Sequence, residues 1–142
     1  KRRLMIKIQK EDFGVDNEIK KIKSLHPGIG AVSTFIGYVR NINEKKEVKS
    51  IKLDVYKDMA IKNLKETCSN AIEKWSLIDC LVIHRYGHLF VHDKIVLVAT
   101  FSKNRKDSSE SCNYIMNYLK KDAPFWKKEF YNDGSSWLEN IN

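Results

Sequence analysis

Leu4, Ile6 and Ile8 fall on one face of residues 4–9, a period of two that predicts a half-buried strand at Leu4–Gln9. The spacing then changes. Ile19, Ile22 and Leu25 follow a helical period, with Asp16 and Asn17 as candidate caps and Pro27-Gly28 as the stop. Gly28-Ile29-Gly30 precedes a strand rather than following one, so it reads as a turn and not as a dinucleotide loop. Residues 31–39 are the richest β segment and end at Arg40, before a polar connection over 41–49. Ile51, Leu53 and Val55 mark a second strand over 50–56. Met59, Leu64, Cys68, Ala71, Ile72 and Trp75 then mark an amphipathic helix of about five turns. Asp79–Arg85 and Lys94–Ser102 are strand-like, joined by a turn at Gly87. The second is continuously apolar over 95–99 and is expected at the centre of its sheet. Asp107-Ser108-Ser109-Glu110 opens the last helix, whose buried stripe is Cys112, Ile115, Met116 and Leu119. The order β-α-β-β-α-β-β-α-β predicts an α+β fold with mostly antiparallel pairing.

Composition narrows the class. The 142 residues are 42% hydrophobic and carry no Gly/Ser/Pro-rich linker, so residues 1–142 are expected to form a single domain. The longest apolar run falls far short of the roughly 20 residues of a membrane helix. Lys1-Arg2-Arg3 is followed by too brief an apolar stretch for a signal peptide, and the expected location is cytoplasmic. Cys68, Cys80 and Cys112 are odd in number and lack a C-x-x-C spacing, which suits reduced core thiols. The net charge of +8 is spread along the chain and implies an anionic partner: nucleic acid, a phosphorylated metabolite or an acidic protein surface.

Three places carry candidate chemistry. Arg40 stands at a strand end and Arg105 just after the expected central strand, both candidate anion ligands, with an exposed loop arginine as the alternative for Arg105. His84, His88 and His92 recur every fourth residue, but β-branched neighbours and Gly87 reject the helix that would align them, so no metal site is expected. The third place is the stretch from Leu119 to Glu129. Pro124 ends a helix there, leaving Lys120 in its last turn and Lys127 in the extended segment that follows. The plain alternative is a lysine-decorated helix C-terminus followed by an edge strand with Phe125 and Trp126 packed inward.

Four segments together resemble one family, the large catalytic subunit of molybdopterin synthase, from about Ile6 to Glu139. They are Gly30-Ala-Val-Ser-Thr-Phe-Ile-Gly-Tyr-Val-Arg40-Asn41, Val82-Ile-His-Arg-Tyr-Gly87, Ser102-Lys-Asn-Arg105 and Tyr118-Leu-Lys120-Lys-Asp-Ala-Pro-Phe-Trp-Lys127-Lys-Glu129. The last is the most specific. The resemblance implies an α/β-hammerhead fold with a mostly antiparallel sheet and an additional small β subdomain. It also implies a homodimer within a heterotetramer, with a ubiquitin-like small subunit on each large one. The C-terminal Gly-Gly thiocarboxylate of that small subunit gives sulfur to cyclic pyranopterin monophosphate, forming the dithiolene of molybdopterin, and no metal or redox cofactor is expected. By motif position, Lys120 and Lys127 resemble the catalytic lysines, and Phe35, Tyr38, Val39, Arg40, Met116, Lys128 and Glu129 resemble pocket residues. Asn104 and Arg105 would come from the neighbouring protomer. The family often has His at the position of Asn104, and Asn can hydrogen-bond but carries no titratable proton.

The residue types agree with that chemistry on their own. A cyclic phosphate and a thiocarboxylate are both anions, and arginines and lysines lower the cost of bringing them together. Crowding of Lys120, Lys127, Arg40 and Arg105 is expected to depress a lysine pKa and free an amine as a base. The rival reading is a basic α+β RNA-binding module that stacks bases on Phe35, Tyr38 and Trp126. It lacks the aromatic sheet-face pattern of such modules, so neither nucleic acid nor membrane is expected as a partner.

Overall fold

The computed structural model describes residues 4–131 and 134–138. Lys1, Arg2, Arg3 and Glu139 of the sequence reading lie outside them. In chain order the elements are β1 Leu4–Gln9, α1 Val15–Leu25, β2 Ala31–Tyr38, β3 Ile42–Asn43, β4 Lys46–Val55 and α2 Lys57–Trp75. They continue with β5 Asp79–Arg85, β6 Gly87–Phe90, β7 Lys94–Ser102, α3 Arg105–Lys121, β8 Phe125–Tyr131 and β9 Gly134–Leu138.

Two sheets result. The first has the order β1-β5-β7-β2, in which β1 and β5 run parallel and the other pairs antiparallel. Its inner strands are apolar on both faces because both faces are covered. Cys80, Val82, Val96 and Val98 pack with Leu64, Cys68 and Ala71 of α2 and with Ile115 and Leu119 of α3. The alternate residues Leu81, Ile83, Leu97, Ala99 and Phe101 pack with Phe13 and with Ile22 of α1. The cysteines lie in the first of these layers, where burial raises the Cys112 thiol to about 11, so they are core residues as expected. The second sheet has the order β3-β4-β8-β9, with β6 also pairing with β4, and its own small core of Val39, Val48, Ile51, Leu53 and Leu89. These two layers are the α+β hammerhead and the additional β unit.

Local detail differs from the sequence reading in four places. The segment 41–49 is not a plain connection: β3 and the start of β4 form a hairpin across Glu44 and Lys45, both left-handed with φ of 49° and 68°. Gly87 opens β6 rather than only a turn, and Gly87–Phe90 adds to the edge of β4. Helix α1 starts at Gly14, in extended geometry and without a side-chain cap, so Asp16 sits in the first turn where its charge suits the helix dipole. Helix α3 is capped by Asn104, not Asp107. The Asn104 side chain accepts from the Asp107 N–H at 2.9 Å and donates back to the Asp107 carboxylate at 3.1 Å.

Candidate active site

The end of α3 and the bend of β2 meet over a cavity of about 280 Å³. Met116, Leu119 and Lys120 share one helix face by their i, i+3, i+4 spacing and form one wall. Phe35 and Gly37 form another, since residues two apart on a strand point the same way. Tyr38 would face the other side of a regular strand. A register shift between Gly37 and Tyr38 re-aims it into the same wall. Gly37 keeps the floor open, because a Cβ there would stand 3.0 Å from Val96 Cγ1 and 3.4 Å from Phe35 Cε2.

His84 completes this cavity, and sequence reasoning gave it no part in the site. Its ring stacks on Phe125 with centroids 3.8 Å apart, and its Nδ1 donates to the Arg85 carbonyl oxygen at 2.8 Å. Burial lowers its pKa to about 4, against which the backbone hydrogen bond acts weakly. His88 stacks against Phe90 and Phe130 in the second sheet, and His92 lies in a left-handed turn. Among the described residues no three His, Cys, Asp or Glu side chains gather as a metal site.

A second, tight hollow of about 20 Å³ adjoins the first through the shared walls Tyr38 and Ile95. It is lined by Val39, Arg40, Lys127 and Glu129. Lys127 and Glu129 point inward because they alternate along β8, and both are buried, with Lys127 Nζ 3.7 Å from Glu129 Oε2. Glu129 is held in turn: its Oε1 accepts from Asn43 Nδ2 at 2.9 Å and from the Tyr131 hydroxyl. The Lys127 pKa is lowered, chiefly by burial; Glu129 opposes that shift and the Arg40 charge adds to it. Sequence reasoning expected a depressed lysine from crowding. The direction holds for Lys127, but desolvation is its main cause.

The corner between the two lysines is pinned by backbone. The Asp122 N–H donates to the Tyr118 carbonyl at 2.9 Å, and the Tyr56 N–H donates to the Pro124 carbonyl at 3.1 Å. Phe125 is buried, as the plain alternative had it, whereas Trp126 is 48% exposed on the outer face of β8. Phe35, Tyr38, Val39, Arg40, Met116, Lys120, Lys127 and Glu129 therefore line the two hollows. Lys128 does not join them. It projects from the face of β8 opposite Lys127, with its ammonium 5.5 Å from the centre of the Phe130 ring. Asn104 and Arg105 are exposed at the other end of α3, where the helical rise puts about 22 Å between Arg105 and Lys120. No helix among the described residues is long and apolar enough to cross a membrane.

Comparison with known proteins agrees with this architecture. A relative from Ralstonia nicotianae, named molybdopterin synthase catalytic subunit, is 44% identical over 134 residues, covering 94% of this chain and 76% of the relative. The structure is similar to a molybdopterin biosynthesis MoaE protein from Burkholderia ambifaria, with a TM-score of 0.83 and 38% identity, covering 96% of this chain and 89% of that one. A more distant structure, a complex of subunits 1 and 2 of molybdopterin-converting factor from Helicobacter pylori, shares the fold at 18% identity and a TM-score of 0.79, over 94% and 90% of the two chains. The family model for MoaE protein matches residues 8–122, four-fifths of the sequence, which takes in every residue lining the first hollow and those of the second except Lys127 and Glu129, and the chain belongs to that family.

Proposed function

We propose that this chain is the catalytic subunit of a molybdopterin synthase. In this reading it transfers sulfur from the C-terminal Gly-Gly thiocarboxylate of a ubiquitin-like small subunit to cyclic pyranopterin monophosphate. The observation that carries the reading is the pair of adjoining hollows, one mostly apolar and ending at Lys120, the other polar and holding Lys127 beside Arg40. A narrow apolar slot suits a glycine tail without side chains. The second hollow is too tight to enclose a substrate, but Arg40 and Lys127 at it present positive charge to an anionic group lying over its mouth. The shared wall at Tyr38 brings the two reactants to neighbouring positions.

In this mechanism the thiocarboxylate sulfur forms a bond to a substrate carbon as a C–O bond at that carbon breaks, the oxygen leaving as water or with the phosphate, and the acyl–sulfur bond then breaks as water or the Lys120 amine takes the acyl group. Lys120 serves as base or transient acyl acceptor, and Lys127 steadies the anionic substrate and intermediate. Glu129 fixes Lys127 without neutralising the whole hollow, since Arg40 adds a further positive charge. The expected partners are the small subunit, cyclic pyranopterin monophosphate and a second copy of this chain. That second copy would bring Asn104 and Arg105 to a site they cannot reach within their own chain. An RNA-binding role is less well supported, because Phe35 and Tyr38 line the cleft on β2 while Trp126 lies on β8 of the other sheet. Three rings on two sheets make no common stacking platform.

Reconstitution tests the proposal: purified chain, thiocarboxylated small subunit and cyclic pyranopterin monophosphate are mixed, and molybdopterin is assayed. Product that depends on all three components is expected. A folded chain that binds the small subunit but yields no product, with the sulfur still on the tail, overturns it.

A further inference from the structure

Resting on that functional reading, we propose that His84 contacts the incoming tail: its Nε2 accepts a hydrogen bond from the backbone N–H of the tail's terminal glycine. Its place in the cavity is the first ground. His84 is only 3% exposed, yet its ring forms part of the wall that also carries Lys120. The second is tautomer and orientation. The Nδ1–H is committed to the Arg85 carbonyl, and stacking on Phe125 at 3.8 Å with a 23° tilt holds the ring plane. That leaves Nε2 as a lone-pair acceptor in a fixed direction, and it has no hydrogen-bond partner among the described residues.

Nε2 is not fully enclosed, so within the cavity it is open to solvent or to a ligand donor that the chain itself does not supply. Phe at this position would stack on Phe125 equally well but would leave the Arg85 carbonyl without its donor, so structure accounts for Nδ1 and leaves Nε2 without a role inside the chain. Burial lowers its pKa to about 4, which keeps the ring neutral and the lone pair available at ordinary pH.

The chemistry of the walls says which group it takes. Phe35, Gly37, Ile95, Val96, Met116 and Leu119 offer no side-chain acceptor better than a thioether, Lys120 as an ammonium only donates, and besides Nε2 the one strong acceptor in the walls is the Tyr38 hydroxyl on the side shared with the second hollow. The end of a peptide tail presents both complements, an acyl oxygen or sulfur for the Lys120 amine and an amide N–H for His84. The phosphate of an anionic pterin matches instead the mouth of the other hollow, where Arg40 and Lys127 stand.

Calorimetric titration of three small-subunit forms tests this: one with the native tail, one lacking Gly-Gly, and one semisynthetic form with the last amide replaced by an ester. The wild-type chain is expected to bind the ester form about tenfold more weakly than the amide form. His84→Asn keeps a donor for the Arg85 carbonyl but loses Nε2. It is expected to bind the amide form about tenfold more weakly than wild type and to make no distinction between amide and ester. Its affinity for the tailless form is expected to match wild type, which reports intact folding and docking. His84→Gln, with a polar atom near the Nε2 position, recovers part of the discrimination. Equal wild-type affinity for amide and ester forms overturns the proposal whatever the variants do, and so does undiminished discrimination in His84→Asn. If wild type binds native and tailless forms equally, the functional reading fails first, and that result is distinct from either of these.

Discussion

Lys127 Nζ lies 3.7 Å from Glu129 Oε2 on the inward face of one strand, and both side chains are more than nine-tenths buried. A buried ammonium is tolerable only with such a partner, and the partner itself is held by Asn43 and Tyr131. Removing Glu129's charge therefore acts on Lys127. In Glu129→Gln the upward pull on the lysine pKa is lost while burial and Arg40 remain. The Lys127 amine is then expected to lose its proton at a lower pH than in wild type. Carbon-13 labelling of lysine Cε followed by NMR titration reads this directly, and an unchanged or raised pKa contradicts it.

The same shift sets a sign for stability. Folding lowers the Lys127 pKa, so the unfolded chain holds this proton more tightly. Below the folded pKa both states are protonated, and the native state bears the full burial penalty. As pH rises through the window from the folded value towards the usual lysine value, native Lys127 loses its proton first and the penalty is relieved. This group thus contributes a gain in stability with rising pH across that alkaline window. Lys127→Met abolishes that contribution, so the wild-type-minus-variant difference in unfolding free energy is expected to increase with pH there. Urea denaturation of both proteins at several alkaline pH values checks the slope.

Arginine separates the roles of the two lysines. Lys120 is exposed at the rim, where Arg fits but cannot give up a proton at working pH. Lys120→Arg is expected to lower single-turnover sulfur transfer by roughly 10²- to 10⁴-fold, the range for loss of a general base. Lys127→Arg keeps its charge and is expected to retain part of the activity, at a stability cost of about 1–3 kcal/mol for the larger group in a tight hollow. Equal retention of activity in both variants would mean that charge is the only requirement and that Lys120 has no proton-transfer or covalent role.

Asn104 caps α3 through its hydrogen bond to the Asp107 N–H. Asn104→Ala is expected to lower stability by about 1 kcal/mol, with Asn104→Asp close to wild type, as read by thermal unfolding.

Arg105 lies at the opposite end of α3 from Lys120, so a role for it in catalysis requires a neighbouring chain. Arg105→Ala and Lys120→Ala chains, each inactive alone, are expected on mixing to recover roughly a quarter of wild-type activity, because half the random dimers carry one intact site. Full activity of Arg105→Ala on its own places Arg105 outside the site, and no recovery on mixing two inactive variants overturns its contribution across the dimer.

The parts of the fold legible in the sequence were those where burial imposes a period. β1, β5 and β7 have the bounds that their apolar spacing predicts, because they pack in a covered sheet. The β3–β4 hairpin was hidden, since much of it is exposed and its turn uses Glu44 and Lys45 rather than Asn-Gly. Helix starts were misplaced by two or three residues, because several cap-forming residues stand near each one and only backbone geometry selects among them. The site was legible at Lys120 and Lys127 through the proline between them. Lys128 looks equally basic in sequence, but strand alternation turns it to the other face. His84 stood in one of the four resembling segments but carried no site role there, because its part in the cavity depends on a ring brought to it from about forty residues downstream.

The pinned corner between α3 and β8 has a consequence for how this protein can change over evolutionary time. Side chains around the hollows can be exchanged one at a time, each at a bounded cost. The number of residues between Pro124 and Lys127 cannot: one residue more or fewer reverses the parity of β8, sending Lys127 and Glu129 outward and Trp126 or Lys128 into the core. The interval is thus a more rigid inheritance than most of the letters that fill it.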